Sequence, residues 1–310
     1  MKDILVTCPP MLGQIDRFHD FAEDLGLKLH PAQTTQILSE AELIALLPEY
    51  DGWIIGDDPA TAEVFEAAQS GRLTAAVKWG IGVDNVDFAA CARLGIPITN
   101  TPNMFGTEVA DVGTAYVIAL ARQLFSLDRG VREGGWPKTA GISLLGRRAG
   151  VVGLGDIGRN MCTRLQALGM EVMAYDPHVE GDAGIEGLTC AAWPVGLEEL
   201  DFLIFTCSLN DKNHHMLNAE TLAKCRAGIR IVNVARGPLI DEAALFAALE
   251  SGHVHSAALD VFEVEPLPAE SPLRGLGERC LFGTHNGSNS VDAVIRASHD
   301  ALTKLASFYR

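Results

Sequence analysis

The hexapeptide Gly153-Leu154-Gly155-Asp156-Ile157-Gly158 constrains this chain more than any other feature. An apolar run at residues 149–152 precedes it and a helix-compatible run at 159–168 follows. In a strand–loop–helix setting, glycine at the first position permits a tight turn. At the second it lets a pyrophosphate approach the backbone, and at the third it lets helix and strand pack closely. The helix N-terminus then faces the phosphates. Tyr175-Asp176 closes the next apolar stretch, with Asp176 lying 18 residues past Gly158. A carboxylate there accepts hydrogen bonds from the adenosine ribose and repels a 2′-phosphate, which favours NAD over NADP. The blander alternatives are a βα turn without a ligand and, for Asp176, an exposed strand-end acid.

The strand–helix pattern extends along the chain. Apolar runs at 4–6, 27–29, 52–55, 75–79 and 96–99 alternate with helical stretches. A second series occupies 149–152, 171–175, 202–207, 229–234, 256–259 and 281–282. Ser39 and Glu42 have capping-box spacing. Residues 84–94 read as a helix ended by Gly95, and 107–127 as one long helix with many small residues. A loop or arm is expected over 130–146, and a last helix over about 291–309. Such alternation predicts α/β architecture, parallel sheets with helices on both faces.

A length of 310 residues suits about two domains. No run approaches the ~20 apolar residues of a membrane span. The N-terminus has neither a long apolar region nor a cleavage site, as expected of a mature cytoplasmic protein. Forty acidic against 24 basic residues give a net charge of −16. That surface repels nucleic acid and anionic membranes, and an anionic substrate would need a local Lys or Arg. The seven cysteines include no C-x-x-C pair. Reduced thiols are expected, with no disulfide framework and no metal.

Three further segments carry chemistry. Arg236 stands just past an apolar strand, the edge where open α/β sheets bind ligands, and its rigid donor fork suits a carboxylate or carbonyl. Alone, it reads equally as a structural ion-pair residue. Residues 258–266 form another strand end with three acids, Asp260, Glu263 and Glu265; for Glu263 solvation is the simpler reading. His285 follows a third strand, in a polar turn with Gly283 and Gly287. The other eight histidines, His214 and His215 among them, take a structural reading.

One Arg, one Glu and one His after strand ends, downstream of a dinucleotide loop, resemble the D-isomer-specific 2-hydroxyacid dehydrogenase family, most of all its phosphoglycerate dehydrogenase branch. The matching motifs are GVDNVD (82–87), NTP (100–102), GLGDIG (153–158), YDP (175–177), NVARGPLIDEAAL (233–245) and ALDVFEVEPLP (258–268). The resemblance covers nearly the whole chain.

The resemblance implies two Rossmann-like doubly wound parallel-sheet domains with a cleft between them. A discontinuous substrate domain would comprise residues 1–103 and 285–310, and an NAD-binding domain residues 104–284. Arg236 would bind the substrate carboxylate and polarise the 2-oxo group. His285 would be the acid/base, and Glu265 would orient its imidazole. Cofactor contacts carry over to Gly153, Gly155, Asp156, Ile157, Gly158, Asp176, Cys207, Val234, Ala235, Arg236, Asp260, Gly287 and Ser288. The turn Lys78-Trp79-Gly80-Ile81-Gly82 matches the substrate-carboxylate loop, whose amides can cradle an anion. The implied activity is NAD-dependent hydride transfer at C2 of a small anionic D-2-hydroxy acid, with 3-phosphoglycerate the leading substrate. The alternatives are a hydroxypyruvate or glyoxylate reductase, or a non-enzymatic NAD-sensing corepressor. A homodimer through the NAD domain, using the arm near 126–148, is also implied.

Several positions depart from the family pattern. Thr284 replaces a common Pro before the histidine and Asn286 a common Ile or Ala after it. Lys78 stands where many relatives carry Arg, Trp79 where many carry a small residue, and Asp111 where Glu is usual. Lys78 would meet a phosphate as a point charge; Trp79 either narrows the pocket or packs in the core. With the sequence ending at residue 310, no C-terminal regulatory domain and no serine feedback through one are expected.

Overall fold

The strand–helix alternation builds two units, each around its own parallel sheet, in a computed structural model that describes residues 1–179, 181 and 183–310. The first unit comprises Met1–Phe105 and Asn289–Arg310, the second Gly106–Ser288, so His285, Gly287 and Ser288 belong to the second.

The first unit holds β1 (Lys2–Val6), β2 (Leu27–Pro31), β3 (Gly52–Ile55), β4 (Ala75–Lys78) and β5 (Ile98–Asn100), in the order β2-β1-β3-β4-β5. All neighbours are parallel, with Ile4 opposite Gly52 and Ile55 opposite Lys78. Leu5, Trp53, Ile55 and Ala76 of the sheet bury against Leu43, Val64 and Phe65 of the flanking helices. Each of the Leu, Ile, Val and Phe side chains among them contributes about 1.5–3 kcal/mol on leaving water. The Ser39–Glu42 capping box forms as expected: Glu42 accepts from the Ser39 amide at 2.8 Å while Ser39 Oγ accepts from the Glu42 amide. The helix expected over 84–94 begins later, at Phe88, because the Asp87 carboxylate accepts from the Ala90 amide and caps it there. The helix Val291–Ser307 packs on this unit, where Ser298 Oγ accepts from Trp79 Nε1 and Lys304 Nζ donates to the Asn100 carbonyl.

The second unit holds β6 (Arg148–Val152), β7 (Glu171–Tyr175), β8 (Thr189–Cys190), β9 (Phe202–Phe205), β10 (Ile229–Asn233), β11 (Val254–Leu259) and β12 (Cys280–Phe282). Their order is β12-β11-β10-β9-β6-β7-β8, all parallel. The order turns back between β6 and β9, the kind of position at which open parallel sheets take ligands beyond the C-terminal ends of their strands. The single long helix expected over 107–127 is two, Gly106–Arg122 and Leu124–Arg132, separated by Gln123 in the left-handed region at φ 54°. No helix among the described residues is long and apolar enough to cross a membrane.

Candidate active site

The glycine loop joins β6 to the helix Asp156–Ala167. Gly153 has φ +93°, a conformation L side chains rarely adopt, and a Cβ there would lie 2.6 Å from the Cys207 backbone. A Cβ on Gly158 would lie 2.0 Å from the Gly153 carbonyl oxygen, so close helix–loop packing excludes one. Thr206 Oγ1 ties the turn by donating to the carbonyls of Val152 and Gly153. Gly155 is different. Its φ is −72°, and a Cβ built there meets nothing within 4 Å. Neither the backbone nor the packing of this chain requires glycine at 155. A ligand drawn against the loop does, so the residues present fit a pyrophosphate at the helix N-terminus. Asp176 sits at the same edge, its Oδ2 accepting from the Leu154 amide at 2.7 Å and its Oδ1 from the His178 amide at 2.8 Å. The acid thereby holds the loop. Burial pushes the Cys207 thiol up to about 12, so at neutral pH it is an uncharged wall of this edge.

The loops after β10, β11 and β12 bring the proposed chemical groups into one unit. Arg236 follows β10 in a turn shaped by Asn233, whose Oδ1 accepts from the Ala235 amide and whose Nδ2 donates to the Arg236 carbonyl. Val234 and Ala235 are buried, and Arg236 is partly exposed with Nη1 donating to the Ala235 carbonyl. A Cβ on Gly237 would fall 1.9 Å from the Phe262 carbonyl group, so only glycine lets the loop after β11 lie against the arginine turn. On that loop, Glu265 Oε1 accepts from the Phe262 amide, which leaves Oε2 to meet His285 Nδ1 at 2.7 Å. The pair orients the imidazole and gives Nδ1 a carboxylate acceptor. His285 has φ 54°, and its amide donates to the Asp260 carbonyl at 2.6 Å.

Asp260 is buried below this turn. Its Oδ2 accepts from the Gly287 amide and its Oδ1 from the Tyr116 hydroxyl at 3.2 Å. Burial, then the Asp260 charge, pushes the Tyr116 phenol above its ordinary range, so it serves as a donor. Tyr116 is a site-building residue that the sequence did not reveal: its partner is 144 positions away and no local pattern marks it. His215 is another. Its Nε2 pairs with Glu263 Oε1 at 2.8 Å, and its amide donates to the Pro238 carbonyl. Glu263 also exchanges two hydrogen bonds with Glu242. Burial chiefly, and then the charges of Glu263 and Glu265, push the Glu242 carboxyl up. Glu263 is therefore a fastener of this loop rather than a merely solvated strand-end acid.

In the first unit, the turn after β4 carries Gly80, Ile81 and Gly82. Lys78 and Trp79, the other two expected substrate residues, are buried. Trp79 stacks near Phe105 with ring centroids 4.9 Å apart and donates to Ser298. Of the two readings of Trp79, core packing describes what its ring does within this unit.

The chain is similar to known proteins. The family model described as D-isomer specific 2-hydroxyacid dehydrogenase, NAD binding domain, matches residues 114–287. D-3-phosphoglycerate dehydrogenase of Homo sapiens is 36% identical over 296 residues, covering 93% of this chain and 54% of that protein. The chain thus spans about half the length of that relative. Hydroxypyruvate reductase of Thermotoga maritima is 34% identical over 277 residues, covering 88% of this chain and 89% of that one. Among solved structures, a glyoxylate reductase from Paecilomyes thermophila matches with a TM-score of 0.83 at 26% identity, covering 99% of this chain and 94% of that chain.

Proposed function

The chain belongs to the D-isomer-specific 2-hydroxyacid dehydrogenase family and carries its NAD-binding domain; on that premise we propose that it interconverts a small D-2-hydroxy acid and its 2-oxo partner. The observation that carries the reading is the His285 Nδ1–Glu265 Oε2 pair at 2.7 Å, in the unit that also holds Arg236 and the glycine loop. When bound, NAD supplies the hydride acceptor, and in its reduced form the donor, at the nicotinamide.

In the oxidative direction the Nε2 of His285 takes the C2 hydroxyl proton while the C2 hydrogen leaves as hydride. In the reductive direction C2 accepts hydride and Nε2 gives its proton to the 2-oxo oxygen, which becomes the hydroxyl. Glu265 holds Nδ1 throughout, so the ring presents one nitrogen to the substrate. Arg236 pairs with the carboxylate and draws electron density from the 2-oxo group, a stabilisation that grows as charge develops. Asp260 and Tyr116 act on the turn that carries His285. Lys78, Trp79, Gly80, Ile81 and Gly82 remain the proposed substrate segment of the first unit. A homodimer through the second unit is part of the same reading, supported by the exposed apolar side chains of Phe125, Val131, Trp136 and Leu145.

The experiment is NADH oxidation followed by absorbance, with purified protein and a panel of 2-oxo acids: hydroxypyruvate, 3-phosphohydroxypyruvate, glyoxylate, pyruvate and 2-oxoglutarate. Turnover of at least one member is expected. NADH binding without turnover of any would overturn the dehydrogenase reading and leave a nucleotide sensor.

A further inference from the structure

The C-terminal edge of the first sheet is short of available cations. Its strand order turns back between β1 and β3, the position where such sheets take ligands. The segments leaving the five strands, residues 7–13, 32–38, 56–61, 79–87 and 101–105, contain no Lys, Arg or His, while Asp57, Asp58, Asp84 and Asp87 lie among them. The one basic residue at a strand end is Lys78, the last residue of β4. Its side chain is 2% exposed and its Nζ is 3.0 Å from Asp57 Oδ1. Nζ also donates to the Gly56 carbonyl, whose position Asn85 Nδ2 shares at 3.1 Å. Two cations reach these loops from the helix Val291–Ser307, and both have partners within the unit. Lys304 Nζ lies 2.6 Å from Asp300 Oδ2 and 3.0 Å from the Asn100 carbonyl, and Arg296 Nη2 donates to the Met104 carbonyl.

We propose that the Lys78–Asp57 pair is a specificity-determining element that makes the substrate a 2-oxo acid with an uncharged C3 substituent, not a phosphorylated one. This deepens the dehydrogenase reading and rests on it. A phosphate brings about two negative charges and needs cationic or multiple donor partners. Recruiting Lys78 would draw its buried ammonium away from the Asp57 carboxylate and the Gly56 carbonyl, and separating a buried cation from its partners is costly. The backbone amides of Ile81 and Gly82 are neutral donors suited to one carboxylate. The acids along the edge oppose a second anionic group, as like charges reject a wrong partner.

The test compares kcat/KM for hydroxypyruvate and 3-phosphohydroxypyruvate at saturating NADH in the full chain. Wild type is expected to favour the unphosphorylated acid by about 100-fold or more. Asp57→Asn, which releases the Lys78 charge, should move that ratio at least about tenfold toward the phosphorylated acid, through KM. Combining Asp57→Asn with Lys78→Met, which removes both charges of the pair, should return the ratio to within about twofold of wild type. Equal or better use of the phosphorylated acid by wild type overturns the inference while the dehydrogenase reading stands. A double variant that keeps the shift of Asp57→Asn, or no change in a folded Asp57→Asn, overturns the role given to the pair. No turnover of any 2-oxo acid by wild type overturns the dehydrogenase reading itself, and the inference with it.

Discussion

Gly155 and Gly158 lie three residues apart in one loop, yet they should fail in different ways when given a methyl group. In Gly155→Ala the new Cβ meets nothing within 4 Å, and the backbone at φ −72° suits alanine. The residual cost is the poorer helix N-cap, about 0.5–1 kcal/mol, or roughly 1–4 °C in Tm for a protein of this size. The ligand suffers more. A methyl group in the path of the pyrophosphate removes at least one charge-assisted hydrogen bond, worth about 1.5–3 kcal/mol. NADH affinity should therefore fall roughly 10- to 100-fold.

Gly158→Ala reverses the pattern. Its Cβ would sit 2.0 Å from the Gly153 carbonyl oxygen and 3.0 Å from Thr206 Oγ1, and the first of these is backbone. Overpacking of this kind costs about 1–3 kcal/mol or more with no ligand present. NADH fluorescence titration and thermal unfolding of the ligand-free protein, run on both variants, separate the two effects. If Gly155→Ala binds NADH like wild type, or loses as much Tm as Gly158→Ala, glycine at 155 serves the fold and the fit to a dinucleotide is refuted.

Three other outcomes are expected. His285→Asn, chosen because asparagine tolerates the φ of 54° found there, should lower kcat by about 10²- to 10⁴-fold while NADH affinity stays within about threefold; retained turnover would remove His285 as the acid/base. Asp176→Ala should weaken NADH binding by about tenfold and narrow the preference over NADPH, since the carboxylate that holds Leu154 would be gone; an unchanged preference would count against a ribose contact. Asp3 is held down to about 2 from 3.8, by the Arg72 hydrogen bond first and then by His30. A carboxyl depressed in the folded state stabilises above its unfolded value and loses that contribution as pH falls toward the folded one. The Tm gap between wild type and Asp3→Asn should thus be full above pH 4 and shrink between about pH 4 and 2; a gap constant across that window would show that the ion pair is not its source.

Much of this protein is legible in one dimension because its signals are local. The glycine loop, the capping box at Ser39 and the ends of strands such as Gly52–Ile55 and Glu171–Tyr175 depend on residues a few positions apart. Arg236, Glu265 and His285 could be singled out because strand ends in a parallel sheet converge on one edge. Boundaries set by a single side chain or dihedral were harder to read: Asp87 starts its helix late, and Gln123 cuts one expected helix into two.

What tertiary structure alone decided are the contacts between residues far apart in sequence. Tyr116 reaches Asp260 across 144 residues, Lys78 meets Asp57 across 21 and Trp79 meets Ser298 across 219. Lysine at residue 78 reads as a positive charge whatever surrounds it. Whether that charge is available to a substrate depends on which acid the fold places 3.0 Å from its nitrogen and on how deeply the lysine side chain is buried. Local geometry in the sequence therefore pointed to the family, while the burial and pairing of Lys78, on which the proposed substrate choice rests, exist only once the chain has folded.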